Sequence, residues 1–115
     1  MSPRASIGAS RMDGWKEFDR IFLDAAEEGL MQVLGETASE MTFLHLERYR
    51  GLKKAEIPRK IEEFSSALTE LLGTGTCLLE NLFIKRLYSK LEVEYEKSEL
   101  RFADQVEGLR RKFEG

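Results

Sequence analysis

The densest run of apolar positions in this chain lies between Cys77 and Leu91, CLLENLFIKRLYSKL, where nine of fifteen residues are apolar or aromatic. On a helix they do not gather on one side. Leu78 and Leu82 share a face, Leu79 and Phe83 a second, and Ile84, Tyr88 and Leu91 a third. A helix that is apolar nearly all round is covered on several sides. At about 22 Å it is too short to span a bilayer, and Lys85, Arg86 and Lys90 interrupt it. The pattern predicts a central buried helix over residues 77–91, wrapped by other helices.

The rest of the chain supplies the wrapping. From Trp15 to about Leu34, Trp15, Phe18, Phe22, Ala25, Ala26, Gly29, Leu30 and Val33 fall on one wide face, with Asp13 as a candidate N-cap. Gly29 lies inside that apolar arc. It is either tolerated drift, costing about 1 kcal/mol against Ala, or the place where another helix crosses closely. Gly35 is placed to end this helix. Thr37 and Glu40 then read as a capping box for a second helix, whose apolar arc is Ala38, Met41, Leu44, His45 and Tyr49. Phe43 and Leu46 lie outside that arc, so cover on more than one side is expected for this helix too. Gly51 closes it. KKAEIP reads as a connector, with Pro58 in the first turn of a third helix and Ile57 pushed out of helical geometry. Ile61, Phe64, Leu68, Leu71 and Leu72 give that helix a narrow stripe. Gly73-Thr74-Gly75-Thr76 is a tight turn into the central helix. EVEYEKSE shows no helical stripe, only a weak Val93/Tyr95 alternation. A last helix is expected from near Ser98, where Phe102, Val106, Leu109 and Phe113 form a seam of a/d width. Arg110, Arg111 and Lys112 sit where the helix dipole favours positive charge. Five helices with short links predict an all-α, single-domain bundle.

Length and composition agree with one domain. A chain of 115 residues buries around two thirds of its unfolded surface, enough for a core without disulfides or metal. The helical domain is expected over residues 15–114, preceded by a Ser-, Gly- and Arg-containing tail, MSPRASIGASRMDG, with no apolar period. A net charge of −3, spread evenly, removes the whole-chain signature of a nucleic-acid binder. One cysteine forbids an internal disulfide, and with one histidine it cannot build the usual zinc site. No run has membrane length and no signal-peptide core is visible, so cytoplasmic placement is the expectation.

Candidate chemistry is sparse. The turn LLGTGTCLLE brings two glycines to a helix start, where backbone N–H groups could hold an anion. A P-loop, however, needs a preceding strand and a Lys that are missing. His45 lies on the apolar arc of the second helix, either as a hydrogen-bonded rim residue or as the polar group of a ligand or pH-sensing site. Cys77 opens the central helix, where a thiol can be activated, though a small buried apolar role is the plainer expectation. Carboxylates fall on polar faces or in connectors. Neither a nucleophile–base pair nor a metal cluster is visible, so no catalytic residue, cofactor or metal ligand is assigned. A helix-turn-helix reading of the third and central helices fails on Cys77, Leu78 and Leu79, where a recognition helix needs polar and basic groups. Lys53, Lys54, Arg59 and Lys60 make a basic patch diluted by Glu56, Glu62 and Glu63. The seam Phe102, Val106, Leu109 and Phe113 either docks on its own domain or pairs with another chain, and is the candidate partner-binding face.

The segment Val33 to Tyr88 is similar to the archaeal NitrOD output-domain family, fifth type. The likeness lies in V-L-G-E, the aromatic-Leu-His-Leu-Glu segment, E-I-P, the E-E-F…L stretch, the G-x-G turn and the following L-L-E. The resemblance implies a small cytoplasmic helical domain, alone or appended to signal-transduction proteins as an output module. It marks Gly35, Glu36, His45, Glu47, Gly73, Gly75 and Glu80 as motif positions without assigned roles. The expectation is a non-enzymatic regulatory domain that self-associates or binds another protein. The alternatives are a small-ligand sensor centred on His45 and a nucleic-acid-binding regulator.

Overall fold

A computed structural model describes residues 10–114, with side chains described for 17–113. Five α-helices follow one another: α1 (Ser10–Leu34), α2 (Glu36–Arg50), α3 (Ile61–Leu72), α4 (Thr76–Leu91) and α5 (Phe102–Glu114). Two 3-10 turns, Lys54–Arg59 and Gly73–Gly75, lead into α3 and α4. Among the described residues there is no strand, and Val93 and Tyr95 lie in the irregular α4–α5 connector. The all-α bundle is as the apolar pattern predicts.

Its centre is a closed circuit of four rings. Phe22 of α1, Phe64 of α3, Phe83 of α4 and Phe102 of α5 are all buried. Their centroids lie 6.3 Å apart for Phe22–Phe64, and 6.1 Å apart for Phe64–Phe83, Phe83–Phe102 and Phe102–Phe22. Each helix thus contributes one large side chain at the spacing that favours tilted and offset aromatic contacts. Leu79, Ile84 and Leu87 extend the α4 side of this core, and Phe18, Ala25, Ala26 and Leu30 the α1 side. The central helix is therefore real, and it packs on α1, α3 and α5. It is not apolar-covered all round: Leu78 and Cys77 face solvent. The core positions of α4 are Leu79, Phe83, Ile84 and Leu87. Their 3–4 spacing is the single stripe that burial selects from a helix with apolar residues on every side.

Gly29 is explained by this packing. A Cβ there would lie 2.7 Å from Phe83 Cδ1 and 2.8 Å from Cε1. The α1–α4 crossing is close because the glycine has no side chain. Phe83 cannot retreat easily, since Phe64 and Phe102 stand beside it. Gly29→Ala is expected to lower stability by about 2 kcal/mol, overpacking outweighing the better helix propensity of Ala. Urea denaturation of the two proteins measures it. An unchanged or raised midpoint would mean the crossing is looser than this.

Helix boundaries depart from the sequence expectation in informative ways. α1 opens at Ser10, so Asp13 lies in its first turns and is not an N-cap; residues 1–9 of the expected tail lie outside the described residues. The Thr37/Glu40 capping box does not form. α2 starts at Glu36 directly after Gly35, whose φ of 88° ends α1 and whose carbonyl accepts the Ser39 N–H at 3.0 Å. One residue serves both helices, and only a glycine adopts that φ without strain. Pro58 sits within the 3-10 turn Lys54–Arg59, and Ile57 shares that turn, not an extended segment. Both are buried. α4 stops at Glu92, a non-glycine with φ 59°. Its N–H donates to Ser89 O at 3.1 Å and the Val93 N–H to Tyr88 O at 3.0 Å. Glu92 takes the left-handed place usually held by glycine. α5 then begins at Phe102, not near Ser98.

The α5 seam is spent inside the domain. Phe102, Val106 and Leu109 are buried, with Ala103 beside them. Phe113 is partly exposed, but its ring lies 5.8 Å from Phe18. A thin stripe suffices because α5 lies against α1, α3 and α4 together. Arg110, expected to serve only the helix dipole, locks this arrangement. Its guanidinium lies 2.6 Å from Asp19 of α1, with the two side chains only 13% and 15% exposed, and 4.8 Å above the Phe18 ring. It also donates to the Pro58 carbonyl. The candidate partner-binding face of the sequence reading is thus corrected to an intrachain interface.

Candidate functional site: the outward face of α2

α2 packs mainly on α1, and it does so with an unexpected face. Ser39, Thr42 and Leu46 are its buried residues. They follow one another at +3 and +4, so they form a helical stripe of two small polar residues and one leucine. The Thr42 hydroxyl donates to the Ala38 carbonyl at 2.8 Å, which removes the penalty of burying it. Small residues let α2 approach α1 closely. The consequence is that the arc assigned to the core, Ala38, Met41, Leu44, His45 and Tyr49, points outward. Met41 is 59% exposed and Tyr49 71%. Leu44 is exposed as well, and His45 is half-buried.

This arc forms one wall of an open groove of about 510 Å³, completed by Leu34 at the end of α1 and by Leu71 and Leu72 at the end of α3. The His45 and Tyr49 rings are 4.7 Å apart on that wall. Arg48 is the cation of the lining. Contiguous apolar surface rimmed by polar groups marks interaction sites. Arg48 has no ion-pair or hydrogen-bond partner among the described residues, and neither has Glu40, one turn from Leu44 on the same helix. Elsewhere the charges that bridge separate segments are paired: Arg50 with Glu70 at 2.8 Å, Lys54 with Glu27, Arg101 with Glu62 at 2.9 Å, and Arg86 and Lys90 both with Glu28. A second hollow of about 600 Å³ lies between α1 and the Lys54–Arg59 turn, but there Arg59 lies 3.4 Å from Asp19.

The other sequence candidates are not gathered here. Cys77 is exposed at the start of α4, not buried as expected, and does not line the groove. The GTG turn is a 3-10 turn whose following residue, Thr76, is buried and donates its hydroxyl to the Leu68 carbonyl at 3.0 Å. It ties the end of α3 to the start of α4. Of the motif positions implied by the resemblance, His45 lines the groove. Gly35 and Gly73, also motif positions, hold positive φ at helix ends, as does Gly51, which is not one of them. Lys54 and Arg59 of the basic patch are paired with carboxylates of α1. Among the described residues no group of three or more His, Cys, Asp or Glu is placed to hold a metal, and no helix is long and apolar enough to cross a membrane. Sequence reasoning missed Met41, Leu44, Arg48 and Tyr49 as surface residues. The signal that could have found them was the neighbouring Ser39–Thr42–Leu46 stripe, and a lone arginine at position 48 within an otherwise apolar arc.

Two carboxylates on or against α4 titrate with opposite consequences. Burial pushes the Glu80 carboxyl above its ordinary value, and the hydroxyl of Ser65 pulls it partly back. Glu28 is held below its ordinary value, first by the Lys90 hydrogen bond, against the opposing effect of burial, with the charges of Lys90 and Arg86 adding to the lowering. For Glu80 the folded chain binds its proton more tightly than the unfolded chain. Its ionisation therefore lowers stability at neutral pH, and this penalty disappears as the pH falls through its raised value toward 4.5. For Glu28 the contribution is full above 4.5 and is lost as the pH falls through its depressed value. Glu80→Gln should raise the neutral urea midpoint and flatten its pH dependence above 4.5. Glu28→Gln should lower the neutral midpoint and flatten the curve below 4.5.

No family model, curated protein or solved structure matches the chain.

Proposed function

We propose that the chain is a non-enzymatic regulatory domain that works in the cytoplasm by docking a polypeptide on the outward face of α2, as a signal-transduction output module of the kind it resembles would. The observation that carries this is the orientation of α2. Two of its small polar residues, Ser39 and Thr42, are buried while Met41, Leu44 and Tyr49 are exposed. Turning a helix this way leaves apolar surface in water, a cost that a docking partner removes. Rim charges such as Arg48 would set orientation and encounter rate more than affinity.

The test places a photo-crosslinking amino acid at position 41, with a control at Glu94 in the exposed α4–α5 connector. Irradiation in cells is expected to give a discrete higher-mass polypeptide adduct from position 41 and none from position 94. Absence of any adduct at 41, 44 and 49 would overturn the docking role.

A second reading is a sensor for a small apolar acid. The groove volume of about 510 Å³ lies in the range that holds such ligands, with Arg48 and His45 as its polar groups. One-to-one binding of an anionic apolar dye, lost in Arg48→Ala, would favour it over the polypeptide.

A further inference from the structure

The outward face of α2 carries its own charge code. Glu40, Leu44 and Arg48 follow one another at intervals of four residues, so they lie along one ridge of the helix. Leu44 is at the middle, a carboxylate stands one turn before it and a guanidinium one turn after it. Neither charge has a partner within the described residues. The neighbouring ridge, Thr37, Met41, His45 and Tyr49, is apolar or aromatic at three of its four positions if the His45 ring, tilted against Tyr49, is counted with them.

Such a ridge is complementary to itself when reversed. We infer that the partner seated on this face is a second copy of the chain, with the two α2 helices antiparallel about a two-fold axis at Leu44. That symmetry places Glu40 of each copy opposite Arg48 of the other, and Leu44 against its own equivalent. A parallel pair would set Glu40 against Glu40 and Arg48 against Arg48, so charge selects the antiparallel form. A two-fold interface uses the same patch on both copies, and every residue in it acts twice. Met41, Leu44 and Tyr49 supply the apolar burial. The two Glu40–Arg48 pairs lie at the rim, where they fix register and contribute modestly to affinity. The pairing rests on the docking role given to this face above and names its occupant.

Sedimentation equilibrium of the full chain, with circular dichroism confirming the fold of each variant, tests it. The wild-type chain is expected at twice its 13.3 kDa mass. Arg48→Glu and Glu40→Arg each create two like-charge contacts and should weaken the dimer at least about tenfold. An equimolar mixture of the two variants should regain it, because the heterodimer restores both opposite-charge contacts. A wild-type chain that stays monomeric to its solubility limit overturns the pairing. So does a dimer that neither variant weakens, or a mixture that does not recover. If the wild-type chain is monomeric while position 41 still crosslinks to another polypeptide in cells, the self-pairing falls and the docking face stands. If Met41→Asp, Leu44→Asp and both charge variants leave a dimer untouched and position 41 gives no adduct, both fall.

Discussion

Val106→Asp is expected to leave the chain largely unfolded. Val106 is 0% exposed on the side of α5 that faces the rest of the bundle. A carboxylate there loses its hydration. Arg110, one turn later, could reach toward it only by leaving Asp19 and the Phe18 ring, which hold it at 2.6 Å and 4.8 Å. An unpaired buried charge costs several kcal/mol, comparable with the whole stability of about 5–15 kcal/mol of a domain of this size. Far-ultraviolet circular dichroism and urea titration give the result directly. Leu100→Asp is the control, because its side chain is 60% exposed in the α4–α5 connector, away from α2, and its effect on stability should stay within about 0.5 kcal/mol. A Val106→Asp protein with full helicity and an ordinary midpoint would show the seam to be free, and would return Phe102, Val106, Leu109 and Phe113 to the list of docking residues.

Phe83→Ala should cost about 4 kcal/mol, within the range for emptying a large aromatic site. The ring is 0% exposed and has neighbours on three sides: Phe64, Phe102 and the bare backbone of Gly29. Removing it breaks the circuit of rings at two contacts and opens a cavity where four helices meet. Collapse into that cavity is hindered, because each remaining ring is anchored on a different helix. Leu78→Ala, five residues earlier on the same helix but 75% exposed, should change stability by no more than about 0.5 kcal/mol. The pair of variants separates position on α4 from hydrophobicity of the residue. A loss below about 1 kcal/mol for Phe83→Ala would place the centre of the core elsewhere.

Much of this arrangement was readable before any coordinates. The stripes Phe18–Phe22–Ala25–Ala26–Leu30 and Ile61–Phe64–Leu68 turn inward as their spacing predicts. Each lies opposite charged residues, so only one burial is cheap. On α4 the apolar residues surround the helix, and packing alone selects Leu79, Phe83, Ile84 and Leu87. Gly29 was ambiguous, because the penalty of a glycine in a helix says nothing about what lies opposite; Phe83 does. α2 was not legible in this way. Its more apolar arc, Met41, Leu44 and Tyr49, is left exposed, because the space its neighbours leave is filled by Ser39, Thr42 and Leu46. The single-residue link at Gly35 sets its direction, while buried Leu46 and Leu52, whose N–H donates to the Leu46 carbonyl, fix its far end. Arg110 looked like a surface charge at a helix end, because its partners Asp19 and Pro58 are remote in the chain. The candidate site was thus legible only as a set of residues on one arc, not as a surface.

What the residues determined alone were five helical segments, where they start and stop to within about five positions, and one apolar face for each strongly striped helix. These are local properties, set by side-chain spacing and by glycines at the turns. Only the tertiary structure decided which face of α2 turns outward, which stripe of α4 is buried, whether the α5 seam is inside or available, and which charges are left without partners. Those outcomes depend on competition between distant segments for the same core. A helix buries the face that fits the space left by its neighbours, and that space is a property of the assembled bundle.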